Sequence, residues 1–83
     1  MTTMAIIGGG TMGTDIAAVF AAAGCTTHVA ETDPQRRAAL PGRLNRERIG
    51  DSAPLPVVHA ALEALPWATI DVAIECVPEA LPL

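Results

Sequence analysis

The chain has 83 residues, a net charge of −4 and 51% hydrophobic side chains, with Phe20 and Trp67 as its aromatic residues. That length predicts one domain, residues 1–83. The acidic balance argues against nucleic acid as a partner, and the apolar content argues against a disordered chain. All five cationic side chains are arginines, Arg36, Arg37, Arg43, Arg46 and Arg48, grouped in one short segment. The plain reading of that segment is the solvated face of a helix, with a phosphate site as the alternative. Cys25 and Cys76 lack metal-ligand spacing, so no metal is expected, and they read as reduced thiols in a cytoplasmic protein. The run 16–25, "IAAVFAAAGC", looks like an export signal, but no Lys or Arg precedes it; such a signal needs a positive start. The run is also too short to span a membrane.

In chain order, "TMAII" (3–7) is a short apolar run ending at glycine, as a buried parallel strand would be. Residues 11–23 predict a helix, with Met12, Ile16, Val19, Phe20 and Ala23 at helical spacing as its apolar face. Gly24 is a natural C-terminal stop. The β-branched run 26–31 predicts a second strand. Asp33 then offers an N-cap and Pro34 a first helical residue. A helix over about 34–40 follows, which Pro41-Gly42 is expected to break or kink, with resumption over 43–49. Residues 50–56 read as a loop. A brief strand at 57–60 and a helical turn at 61–65 precede a strand at 69–77, with Ile70, Val72 and Ile74 on one side and Pro78 as its stop. The order β-α-β-α-β-β predicts an α/β fold: an incomplete, Rossmann-type parallel sheet of about four strands with flanking helices. Four strands leave at least one open edge, which a continuing chain or a partner would cover.

Gly8, Gly10 and Gly13 fit G-x-G-x-x-G. The pattern is weak alone, but here it follows a predicted strand, opens a predicted helix and has an acid, Glu31, ending the next strand at about 20 residues' distance. The three glycines then serve different ends. Gly8 permits the tight turn, Gly10 the close approach of a pyrophosphate, and Gly13 the packing of helix on strand. The intervening Gly9, Thr11 and Met12 belong to the same loop, and the helix N-terminus offers N–H groups and positive partial charge to the phosphates. Glu31 is the candidate acceptor for the ribose hydroxyls. A carboxylate there repels a 2′-phosphate, so NAD is favoured over NADP, although Arg36 or Arg37 is placed to hold such a phosphate. Asp33 competes for the ribose role but reads better as a helix cap.

At "IIGGGTMGTDIAAVFAAAG" together with "IDVAIECVPEAL", the chain resembles the NAD-binding domain of the 3-hydroxyacyl-CoA dehydrogenase family. The glycine loop is shared with many dehydrogenases, whereas its combination with "IECVPE" is more specific. The resemblance implies that Gly8 to Gly13 form the pyrophosphate loop, that Glu31 is the ribose-binding acid, and that Glu79 lies near the cofactor beyond the fourth strand. It implies an oxidoreductase of fatty acid metabolism that transfers hydride from a 3-hydroxy group to NAD. An acyl-CoA or small hydroxy acid would be the substrate, and a homodimer of the full protein is compatible with it. The family's long helical arm does not fit the short stretch between Glu31 and Val57, which disfavours a CoA ester. The family's catalytic histidine lies well beyond "VPE", and neither His28 nor His59 matches it. No catalytic residue is therefore assigned, and these residues alone are expected to bind NAD without turning over substrate. Two alternatives stay open: a non-catalytic nucleotide-binding or regulatory module, and another β-hydroxyacid dehydrogenase.

Overall fold

The computed structural model describes residues 2–50 and 53–76. Four strands, β1 (Thr3–Ile7), β2 (Thr26–Ala30), β3 (Val57–His59) and β4 (Val72–Glu75), form one sheet in the order β3-β2-β1-β4. Every pairing is parallel: Thr3 lies opposite Thr26, His28 opposite Val57 and Met4 opposite Val72. Helices α1 (Thr11–Ala22) and α2 (Pro34–Arg46) connect the first three strands. The path from β3 back to β4 runs through two single 3₁₀ turns, Leu62–Ala64 and Trp67–Thr69. The expected α/β, Rossmann-type architecture is therefore what this sequence forms.

Strand alternation divides the core between the two faces of the sheet. On one face, Ile6 and Val29 pack with Ala17 of α1 and with Leu40 and Leu44 of α2. On the other, Ala5 and Ala30 pack with Leu65 and, more loosely, Ile70. Both helices thus cover one face, and the 3₁₀ connection covers the other. Trp67 Nε1 donates to the Leu62 carbonyl at 2.8 Å and holds the two turns together. Thr3 N–H donates to Asp71 Oδ2 at 2.8 Å, and Asp71 N–H to the Thr3 carbonyl at 2.9 Å, fixing where β4 joins β1.

Three expectations are corrected. The buried face of α1 is Gly13, Thr14, Ala17, Ala18 and Ala21, whereas Met12 and Val19 are 68% and 56% exposed. The cause is the contact at Gly13: a Cβ there would overlap the Gly8 carbonyl oxygen. Only a face of small residues can lie so close to the turn, and positions 13, 17 and 21 share it. Second, α2 does not break at Pro41-Gly42 but runs to Arg46 and ends there, short of 49. A proline inside a helix costs about 3 kcal/mol. Leu40 and Leu44 flank it and are fully buried, each contributing about 1.5–3 kcal/mol. Their burial offsets the proline and carries the helix across it. Third, Ile70 precedes β4 and packs on the face opposite Ile74, while Val72 is half-exposed on an edge strand. Alternation cannot be extended through the bend at Asp71 that starts the strand.

Candidate functional site

The carboxyl ends of β1, β2 and β4 open on a crevice of about 660 Å³ lined by Gly8, Gly10, Thr11, Met12, Glu31, Thr32, Asp33, Arg36, Glu75 and Cys76. Gly8 leaves β1 with φ of 105°, the left-handed region that disfavours any side chain. Its N–H donates to the Ala30 carbonyl at 2.9 Å, so the turn is tied to the end of β2. Gly10 is the N-cap of α1 and makes no side-chain capping bond, and the first turn of α1 holds no acid. A Cβ built at Gly10 would meet no atom within 4 Å. The space before the helix N-terminus is therefore open, and the first N–H groups of a helix lack partners within it. That combination suits a pyrophosphate. The remaining loop glycines face inward. At Gly9 a Cβ would lie 2.7 Å from Leu40 Cδ1, and Gly13 sits against the Gly8 carbonyl.

Glu31 follows β2 directly and is 5% exposed. Its Oε1 accepts the Gly9 N–H at 2.8 Å and its Oε2 the Asp33 N–H at 3.0 Å. The carboxylate thereby braces the glycine turn, a role its position in the sequence did not announce. Each carboxylate oxygen keeps a further lone pair, so acceptance from ribose hydroxyls remains open. Asp33 is the expected cap of α2: its Oδ2 accepts the Arg36 N–H at 2.8 Å. Thr14, not singled out from sequence, is completely buried and donates to the Gly10 carbonyl at 2.8 Å. Only its pairing with the turn marks it, and a threonine inside a helix gives no such signal. Glu75 is exposed at the end of β4, Cys76 is half-buried against the helix-side core, and both line the crevice. Glu79 lies outside the described residues.

A second cavity of about 500 Å³ adjoins the crevice between the glycine turn and α2, lined by Gly9, Gly10, Thr11, Asp33, Gln35, Arg36, Ala39 and Arg43. The two arginines that follow the β2 turn part company here. Arg37 Nη1 donates to the Glu31 carbonyl at 3.2 Å and reaches the Thr32 carbonyl at 3.5 Å, bracing the turn. Arg36 lines both cavities. Among the described residues, no group of three or more side chains could hold a metal ion, and no helix is long and apolar enough to cross a membrane.

His28 and His59 lie outside both cavities. They are neighbours on β2 and β3, with His28 Nδ1 2.9 Å from His59 Nε2 and ring centroids 5.1 Å apart. One imidazole must donate across this contact and the other accept. Burial, and secondarily the charge of His59, lowers the His28 pKa below its ordinary 6.5. The unfolded chain then takes up protons before the folded one does. Stability is therefore full above the unfolded value and falls as pH drops below it, down to the lowered folded value. Urea denaturation midpoints are expected to decline as pH falls through the ordinary histidine value of 6.5, and His28→Asn to flatten that decline. An unchanged slope in the variant would remove the pair as its cause.

Comparison with curated proteins gives no match, and comparison with solved structures gives none. A family model does match, over residues 3–83, and its description is the NAD-binding domain of 3-hydroxyacyl-CoA dehydrogenase. The match spans the glycine turn, both cavity-lining helices and the "IECVPE" segment. A strand, a glycine turn and an open helix N-terminus, with an acid at the end of the next strand, are thus joined to a match over nearly every residue, and the chain belongs to the family of 3-hydroxyacyl-CoA dehydrogenase NAD-binding domains.

Proposed function

We propose that the chain binds NAD across the crevice, as the cofactor-holding part of an oxidoreductase that oxidises a 3-hydroxy group. Gly8 to Gly13 would receive the pyrophosphate, Glu31 the adenosine ribose, and Glu79 would lie beside the cofactor. The single observation that carries this reading is the open space at Gly10 before an uncapped helix N-terminus. When bound, the nicotinamide would supply the hydride acceptor, and the protein would supply orientation and electrostatics. The residues present would hold and aim the cofactor; among the described residues no histidine lines the crevice, since His28 and His59 pair with each other elsewhere on the sheet. No proton-abstracting group is assigned to the described residues, and they are expected to bind the cofactor without turnover. The substrate would be an acyl-CoA or a small hydroxy acid.

Titration calorimetry with NAD tests the reading, using Gly10→Val as the control. Gly10 has φ of −74° and ψ of −169°, which valine adopts freely, and its Cβ would meet nothing in the protein. The cap preference costs at most about 1 kcal/mol. The variant is expected to fold and to lose binding, because its side chain fills the phosphate space. Equal heats for both proteins would refute the site.

A further inference from the structure

We propose that the cavity between the glycine turn and α2 is a subsite for the 2′-phosphate of NADP, held by Arg36 and Arg43, so that the crevice takes NADP as well as NAD. This rests on the reading of the crevice as a nicotinamide dinucleotide site. A carboxylate after β2 ordinarily rejects NADP by repelling its extra phosphate. Here both oxygens of Glu31 are bonded to backbone N–H groups of Gly9 and Asp33, which holds the carboxylate against the turn. Asp33, the other acid at the subsite, directs its Oδ2 to the Arg36 N–H at the start of α2.

Against these engaged acids stand two guanidinium groups on one side of α2. The Arg36 side chain makes no hydrogen bond or ion pair among the described residues, and it lines the crevice and the adjoining cavity alike. Arg43 lies in the same cavity, with a weak contact of 4.0 Å to Glu47. Neighbouring Arg37 turns its Nη1 to the Glu31 and Thr32 carbonyls and lines neither cavity. Gly9 contributes no side chain to the wall of the cavity. A planar guanidinium binds phosphate through paired N–H groups, which suits it to a phosphate monoester beside the ribose.

NADH and NADPH binding to the full chain, followed by nicotinamide fluorescence, tests this. NADPH is expected to bind within about tenfold of NADH, with the steeper salt dependence of an added ionic contact. Arg36→Ala is expected to weaken NADPH by about tenfold and NADH by less than about twofold, since a hydrogen-bonded charge contact is lost for one ligand only. Arg43→Gln should act in the same direction and more weakly. Arg36 is exposed, and an unchanged circular dichroism spectrum confirms that its variant folds. Binding of NADH without NADPH overturns the subsite and leaves the dinucleotide reading intact. An equal loss for both ligands in Arg36→Ala overturns it too. Binding of neither ligand overturns both.

Discussion

Gly13→Ala is expected to destabilise the domain by about 3 kcal/mol, measured by urea denaturation, although helix propensity alone would stabilise it by about 1 kcal/mol. Gly13 is buried in the first turn of α1, and its Cβ would overlap the Gly8 carbonyl oxygen, with Ile6 Cγ2 also close at 3.4 Å. Both obstacles belong to the strand-to-turn junction, and a backbone carbonyl cannot rotate away as a side chain can. The helix would have to lift from the sheet, loosening Ala17 and Ala21 behind it. A domain of this size is stable by only about 4–12 kcal/mol, so the loss is a large fraction. Gly10→Ala, placed in open space, is the matching control and should cost at most about 1 kcal/mol, the loss of the cap preference. A stabilised Gly13→Ala protein would show that propensity, not the close approach, governs this position.

Glu31→Ala is expected to cost about 3 kcal/mol and to abolish NAD binding. The substitution removes two charge-assisted bonds and leaves the buried Gly9 N–H without a partner. The carboxylate fixes the turn and faces the crevice, so stability and binding should fall together. Glu31→Gln separates the two effects. Its carbonyl oxygen accepts one of the two N–H groups, while its amide meets the other donor with a donor. It should lose roughly half as much stability, about 1–2 kcal/mol. Denaturation midpoints and calorimetry on the same preparations decide the matter. A Glu31→Ala protein as stable as the parent would mean that the turn holds itself without the acid.

Much of the architecture is local and therefore readable. β1 ends where its apolar run meets Gly8, and α1 opens where the glycines end. α2 begins at an Asp-Pro pair whose cap forms as expected. Each of these signals acts through a turn's φ or one short-range bond, so neighbouring residues suffice to specify it. The approximate placement of Glu31 is of the same kind. Its bonding to Gly9 is not, because that joins residues 22 apart in the chain.

Residue types alone thus established strand, turn and helix around the glycines, because backbone conformation there depends on nearest neighbours. Three features needed the folded chain. The rotation of α1 follows from Gly13 lying against Gly8, which outweighs the larger apolar surface of Met12 and Val19. The continuity of α2 follows from Leu40 and Leu44 reaching the sheet on both sides of Pro41. The division of labour between Arg36 and Arg37 follows from which side chain reaches the carbonyls after β2. For α2, contacts between distant segments outweigh a local cost of about 3 kcal/mol, and they exist only once the sheet has brought those segments together; for α1 and the arginines the deciding contact joins residues five or six apart, but its geometry is set by how the turns fold.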